Sequence, residues 1–252
     1  MSRFYTIAIA ILVLTAPRAF GQLPNVVFSG GGGGTRDGGF EGNATFGVPM
    51  PDFPVWAGAP YSGEQTDVSV QTLADGNTIT NLTGFHQKAW RDSQGRVRVE
   101  RPYLAGPGAS RLKNVPTLVE IHDPVAGYTY LVDDAHRVVH RIQLAAAKPR
   151  AVRVPYGNLG AQTIDGIEAV GNRTTIPVPS SNGTIKVTRD EWVSPDLHLT
   201  ILVVATDPNK GVATGKIANL SRIEPDPALF QIPLDYTVVD ETESFTIKWG
   251  GN

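Results

Sequence analysis

The sequence predicts an all-β fold with little helix, arranged as a curved antiparallel meander in the form of a half-open barrel. Turn-forming groups such as Asp-Gly and Asp-Pro recur about every 8 to 15 residues between positions 64 and 223. In residues 96–101 valines alternate with charged side chains, which is the pattern of a strand in a sheet with one solvent-exposed face. Helical patterning is thin: a single turn is expected at residues 227–230, where Pro227 stands at the first helical position.

The expected strands lie between successive turns. An Asp-Gly turn at residues 74–77 joins the first two strands, and residues 104–113 are a loop, with one or two helical turns at most in residues 143–148. We expect strands at 68–72, 78–83, 88–91, 96–101, 117–122, 128–132, 137–142, 162–175 (one bent strand or two), 185–188, 197–205 and 216–223.

The strand at 197–205 departs from clean alternation, because its second half is apolar on both faces. Two interpretations stay open. It is a central strand covered on both sides, or it is a wall between the core and an apolar ligand cavity. The second interpretation takes the following residues as candidate cavity-wall residues: Trp90, Val97, Val99, Leu199, Ile201 and Val203.

Residues 1–21 have the features of a signal peptide. Arg3 precedes an almost unbroken apolar run over residues 4–16, and small residues at Ala19 and Gly21 predict cleavage before Gln22. A transmembrane helix requires about 20 apolar residues, and this apolar run is shorter than that. We therefore expect an exported protein, periplasmic or extracellular, with no stable membrane anchor after cleavage.

The residues after the leader divide into three parts. Residues 22–63 contain a five-glycine run at 30–34 and a later cluster of prolines, a composition that predicts a flexible arm. The alternative, a phosphate-binding glycine loop, lacks the helix and the Lys-Ser/Thr pair that such a loop needs. Residues 64–240 form the predicted β domain, and residues 241–252 are a C-terminal tail.

Composition excludes several functions. Without residues 1–21 the chain has 20 basic against 24 acidic residues, a formal charge of −4, which does not favour a nucleic-acid partner. The absence of cysteine excludes disulfides, thiolate metal sites and cysteine nucleophiles. The sequence predicts no cofactor.

The few groups that could perform catalysis form no recognisable motif. His136 and His140 fall on one face of an expected strand, and Asp133, Asp134 or His122 could complete a metal site. Exposed histidines near turns are commoner than metal sites, so we predict no metal. His122 and Asp123 could belong to a hydrolytic triad, but the chain has no Gly-X-Ser-X-Gly nucleophile elbow. We predict that the protein is not an enzyme.

Six segments resemble a group of uncharacterised exported bacterial proteins of the kind found in acidobacteria. They are residues 61–64, 71–77, 91–96, 123–128, 192–197 and 224–230. More remotely, the hairpin series with its closing Pro-X-X-Tyr segment is similar to the fold of periplasmic lipoprotein carriers and sigma regulators. That resemblance implies a half-open antiparallel barrel whose concave apolar face holds acyl chains under short helices. No ligand motif matches, so no functional residue is carried over.

These observations lead to two hypotheses about function. The first is a non-enzymatic binding module that takes an apolar ligand, or a lipid-modified protein, on the concave face of its sheet. The alternative is a structural or surface protein-interaction module whose interior is packed with its own side chains.

Overall fold

The structure, a computed structural model, describes residues 28–35, 38–49, 54–72, 77–103, 112–144, 158–180 and 183–250. The predicted signal peptide lies outside this part. So do all residues of the predicted Asp-Gly turn at 74–77 except the last, and all residues of the predicted helical turns at 143–148 except the first two. The described strands are β1 (Phe28–Gly34), β2 (Phe40–Phe46), β3 (Tyr61–Thr72), β4 (Thr78–Arg91), β5 (Val97–Pro102), β6 (Thr117–Asp123), β7 (Tyr128–Asp133), β8 (Val138–Gln143), β9 (Gly160–Ile164), β10 (Ile167–Ser180), β11 (Gly183–Ser194), β12 (Leu199–Asp207), β13 (Gly211–Ser221), β14 (Thr237–Asp240) and β15 (Phe245–Trp249).

Most strands belong to one large curved sheet in the order β14-β8-β7-β6-β5-β4-β3-β13-β12-β11-β10-β9. Neighbouring strands are antiparallel except β14, which runs parallel to β8. The end strands β14 and β9 do not pair with each other, so the described sheet is open. The predicted all-β, half-open antiparallel architecture is confirmed.

The sheet consists of two meanders rather than one. The chain runs outward from β3 to β8, crosses to the opposite edge at β9, and returns inward to β13. The meanders join where β13 pairs with β3, as in Ile217 opposite Gln65. The segment predicted at 162–175 forms two strands, because Asp165 and Gly166 make the turn that separates β9 from β10. The predicted turn at Pro227–Phe230 is a 3₁₀ helix, with the side chain of Asp226 accepting a hydrogen bond from Ala228 N.

The flexible arm predicted for residues 22–63 is replaced, where the structure describes it, by two paired strands. β2 pairs with β1 on one side and with β15, from the predicted tail, on the other. This small sheet buries Phe46, Ala44 and Ile247 against side chains of β6, β7 and β8. Burial of these alternating apolar residues offsets the ordering entropy that a glycine-rich segment loses on folding.

Close contact with β2 explains two alternate positions of the five-glycine run. A Cβ atom on Gly30 would lie 2.0 Å from the carbonyl oxygen of Asn43, and one on Gly32 would lie 2.6 Å from the ring of Phe40. A Cβ atom on Gly31 would meet nothing within 4 Å. Alternate glycines are therefore required by contact with β2, as the two-residue period of a strand dictates.

Register divides the side chains of β3 to β8 between two faces of the large sheet. The inner face carries Tyr61, Ala89, Val99 and Leu118, and the outer face carries residues such as Val119. On the inner face one apolar cluster is formed by β3, β4, β5, β10, β12 and β13, and a second lies where the small sheet covers β6 to β8. The 3₁₀ helix and the residues after it cover the outer face of β6 to β8. Both faces of this part of the sheet are therefore buried.

Candidate functional site

Five of the six candidate wall residues lie buried within the large sheet. Val97, Val99, Leu199 and Ile201 belong to one inner-face cluster, and Val203 is buried farther along β12. Val99 is 0% exposed and Ile201 is 3% exposed. Their side chains are therefore covered by other residues of the chain.

Trp90 does not lie with the other five. It is opposite Arg98 in the pairing of β4 with β5 and packs against the outer-face cluster, beneath the 3₁₀ helix. Alternation explains the difference, because Trp90 lies one residue from Ala89, which points to the inner face. The grouping of Trp90 with the valines would require a register between β4 and β5 that the sequence does not specify.

A buried arginine ties the inner face to two loops. Nε of Arg91 donates to the carbonyl oxygen of Ala59 at 2.8 Å, and Nη2 donates to the carbonyl oxygen of Leu197. The guanidinium carbon lies 4.8 Å from the ring centre of Tyr61. Burial lowers the pKa of Arg91 and raises the pKa of the Tyr61 hydroxyl. This arrangement holds the strand ends together and commits the guanidinium group to a structural role.

Polar side chains occupy the inner face between the two apolar clusters. Gln65 and Gln87 are directly opposed and are 4% and 0% exposed. Among the described residues, both amide atoms of Gln87 and the amide oxygen of Gln65 have no hydrogen-bond partner. Nearby on β5 and β6, Nη2 of Arg101 lies 2.7 Å from Oε1 of the fully buried Glu120. Burying unpaired amides costs stability, and no spacing in the sequence indicated this polar strip.

The main cleft, as we call it, lies where the small sheet meets the ends of β6 and β7. Its volume is about 630 Å³. Its floor is apolar, formed by Phe40, Leu118 and Trp249, each of which is largely buried. The rim is polar and includes Thr117, and the other lining residues are Thr35, Gly39, Asn114, Pro116, Val132, Asp133, Asp134, Ala135, His136 and Gly250.

Edge-on and tilted contacts between aromatic rings hold the floor of the main cleft in place. The ring of Tyr103 lies 4.6 Å from that of Trp249 and 5.4 Å from that of Phe40, measured between centroids. Its hydroxyl donates to the carbonyl oxygen of Asn43 in β2, and burial raises the pKa of that hydroxyl. Phe40 and Trp249, which lie far apart in the sequence, are thus both held against the side chain of Tyr103, the residue that follows β5.

The acidic rim of the main cleft is the turn between β7 and β8. Oδ2 of Asp133 lies 2.6 Å from Nδ1 of His136, which orients the imidazole. Asp134 accepts a hydrogen bond from the hydroxyl of Tyr236 at 3.0 Å, and this bond raises the pKa of Tyr236. Asp133 is buried while Asp134 is exposed.

Sequence reasoning missed this cleft because its floor comes from the segments taken as an arm and a tail. A signal was present in residues 245–249, where Phe245, Ile247 and Trp249 alternate with polar residues. Residues 40–46 carry a similar signal at Phe40, Ala44 and Phe46.

A second cleft of about 600 Å³ lies on the outer face, between the sheet and the segment that follows the 3₁₀ helix. Its lining includes Arg98, whose Nη1 donates to the carbonyl oxygen of Leu229 at 3.0 Å. Leu234, at its edge, is fully exposed. The cleft is open and adjoins the main cleft at Val132 and Asp134.

The histidines considered for chemistry have separate structural partners. Nδ1 of His140 lies 2.7 Å from Glu241, and the ring stacks on Phe245 at 4.5 Å. Nδ1 of His122 lies 2.9 Å from the hydroxyl of Thr129. In the part of the chain that the structure describes, no group of three or more His, Cys, Asp or Glu residues could hold a metal ion.

Comparison with solved structures found remote similarities. A crystal structure of an uncharacterized conserved protein from Thermus thermophilus is 11% identical with a TM-score of 0.37, over 73% of this chain and 91% of that one. A chain of the Pseudomonas aeruginosa MucA/MucB complex is 16% identical with a TM-score of 0.36, over 71% and 58%. A LolA superfamily protein from Nitrosomonas europaea is 8% identical with a TM-score of 0.28, over 70% and 92%.

These similarities are distant, since every TM-score is below 0.5 and no identity exceeds 16%. No family model matches the chain, and no curated protein matches it. At such low identities no ligand or residue role passes from these proteins to this chain. Among the described residues, none forms a helix that is long and apolar enough to cross a membrane.

Proposed function

We propose that this protein is an exported, non-enzymatic binding module that takes an apolar or amphiphilic ligand in the main cleft. The observation that carries the proposal is an apolar floor beneath a polar rim in a cleft of about 630 Å³. Small-molecule sites combine these features, with volumes of about 300 to 1,000 Å³. The floor residues Phe40, Leu118 and Trp249 would contact the apolar part of the ligand.

The other proposed location for the ligand is the inner-face wall, which is formed by Val97, Val99, Leu199, Ile201 and Val203. A ligand there would have to displace side chains that already cover these residues. Opening a packed core forfeits the contacts that stabilise it. The main cleft needs no such displacement and is therefore the favoured site.

A second candidate function is a protein-interaction module, and the packing of the inner face favours it. In that case the apolar wall is only a core, and the partner is a protein bound at the surface. The absence of lipid from the native protein, together with failure of any apolar probe to bind, would support this candidate.

Blocking the main cleft with a bulky side chain tests the proposed site. Thr117 is exposed at the start of β6 and lines the cleft. We expect Thr117→Trp to weaken binding of a fluorescent fatty-acid analogue by tenfold or more. Thr237→Trp, at an equally exposed strand start away from the cleft lining, should bind as the wild type does.

Other outcomes decide between the locations. If Thr117→Trp binds normally while Ile201→Phe loses binding with an unchanged circular dichroism spectrum, the ligand occupies the inner-face wall instead. If the wild type binds no probe and native mass spectrometry finds no co-purified lipid, apolar-ligand binding is wrong.

Export has its own test. Fractionation of an expressing bacterium, followed by N-terminal sequencing of the purified protein, should give Gln22 as the first residue of a periplasmic or secreted product. A protein that retains Met1 and sediments with the inner membrane would show that the leader stays as an anchor.

A further inference from the structure

We infer that the main cleft selects ligands with a cationic head on an apolar body, such as alkylammonium ions, over neutral or anionic ligands with the same chain. This inference rests on the proposed function and names the class of ligand. Two features of the cleft carry it: the charge of its rim and the aromatic character of its floor.

The charge of the rim is one-sided. Among the described residues that line the main cleft, the ionisable side chains are Asp133, Asp134 and His136, with no lysine or arginine. Arg137, the next residue along, pairs with Asp235 and lies 5.3 Å above the ring of Tyr236. The positive charge of Arg137 is therefore largely neutralised by Asp235, which does not line the cleft, and the electrostatic potential at the rim stays negative.

The exposed carboxylate of Asp134 retains capacity for a further donor, whereas Asp133 is buried and contributes through its charge. Asp134 accepts one hydrogen bond from Tyr236, and Asp133 is bonded by the ring of His136 and by its backbone N–H at 3.4 Å. An ionised carboxylate offers about four acceptor positions. An ammonium group, with three donors and no acceptor, fits these remaining positions, whereas a second carboxylate would be repelled.

The floor supplies the other half of the recognition. Trp249 and Phe40 are aromatic rings at the base of the same cleft, and the faces of such rings attract cations at distances up to about 6 Å. Tyr103, which contacts both rings, keeps them in place. The aromatic floor and the acidic rim thus both favour a positively charged ligand head. Leu118 provides an apolar contact for the body of the ligand.

Three eight-carbon probes test the inference: octylamine, octanol and octanoate. Each is titrated against the full-length mature protein in competition with the fluorescent analogue that reports on the proposed function. We expect octylamine to bind at least fivefold more tightly than octanol, and octanoate to bind most weakly. The preference for octylamine should fall as salt rises, because the rim is partly exposed.

Removing one rim charge locates the effect. Asp134 is exposed, and Asp134→Asn retains an oxygen that can accept from Tyr236. We expect this variant to bind octylamine about three- to tenfold more weakly, and to lose much less affinity for octanol. Asp196→Asn is the matched control, since Asp196 is an exposed turn residue, paired loosely with Arg222 at 3.7 Å, that does not line the cleft.

The outcomes separate this inference from the proposed function. Equal binding of octylamine and octanol would overturn the cation preference and leave apolar-ligand binding intact. Binding of no probe by the wild type would overturn the proposed function, and this inference with it. A preference for octylamine that survives in both Asp134→Asn and Asp133→Asn would show that the rim does not cause it.

Discussion

The guanidinium group of Arg91 donates a hydrogen bond to the carbonyl oxygen of Leu197, a residue 106 positions later in the chain. The same group binds the carbonyl oxygen of Ala59, so one buried side chain joins the end of β4, the segment before β3 and the turn before β12. These three segments meet beside the inner-face cluster, where their carbonyl groups are shielded from water.

Replacing Arg91 by methionine is expected to lower the free energy of unfolding by about 2 to 4 kcal/mol, because two buried carbonyls lose their donor. Urea denaturation followed by circular dichroism measures the change. Arg222→Met is the control, since that arginine is exposed and makes only a long ion pair, and it should change stability by no more than about 0.5 kcal/mol. Equal stability of the two variants would contradict the role given to Arg91.

Replacing Gln87 by leucine is expected to raise the free energy of unfolding by about 1 kcal/mol. Both amide atoms of Gln87 are buried without a partner in the part of the chain that the structure describes, and the variant no longer has to desolvate them. The exposed Gln143 of β8 provides a matched Gln→Leu control with a negligible expected change. A clear loss of stability in Gln87→Leu would mean that its amide is satisfied in solution.

Asp67 and Asp190 should affect the pH dependence of stability in opposite directions. Burial raises the pKa of Asp67, although a hydrogen bond from Gln65 and the charge of His86 partly oppose this. The folded state then holds the proton more tightly than the unfolded state, so stability falls as pH rises from about 4 through the raised pKa. Asp67→Asn should be more stable than the wild type at neutral pH, and the difference should vanish below about pH 4.

Asp190 supplies the contrasting measurement. A hydrogen bond from Arg173 lowers its pKa, so its contribution is present above about pH 4 and is lost as pH falls through the lowered pKa. Asp190→Asn should therefore be slightly less stable at neutral pH, the effect being small because Arg173 is exposed. Denaturant midpoints of both variants between pH 3 and pH 8 test the two signs, and matching signs would refute the assignment.

Alanine substitutions within the glycine run should alternate in effect. Gly32→Ala is expected to cost about 1 to 3 kcal/mol, because the new methyl group would overlap the ring of Phe40. Gly31→Ala meets open space and should be neutral or stabilising by up to about 1 kcal/mol. Thermal unfolding of the two variants makes the comparison, and identical midpoints would show that β1 is not paired as described.

Local patterns predicted the strands between residues 64 and 223 because alternation and turn chemistry act over a few residues. The pairing of β13 with β3 lies outside such patterns, since nothing in the linear order says that the second meander returns to the first. The pairing of β1 with β2 lies outside them for a similar reason. Glycine at positions 30 to 34 carries no side-chain signal, and only contact with Asn43 and Phe40 explains the glycines at positions 30 and 32.

The main cleft was harder to predict from the sequence than the strands were. Alternation predicts which residues of a strand share a face, but it does not predict that neighbouring side chains bury five of the candidate wall residues. The main cleft depends on Phe40 and Trp249 meeting at Tyr103, three residues from well-separated parts of the chain.

The small sheet has a consequence for the order of folding. Thr45 of β2 and Thr246 of β15 share a hydrogen bond across 201 positions, so this pairing closes a very long loop. Such contacts carry a large entropic cost and form slowly unless the intervening structure already brings the ends together. We expect the twelve-stranded sheet to act as the template on which the two ends of the chain meet. The floor of the main cleft would then be completed last, and during synthesis no ligand could be held there until Trp249 had emerged.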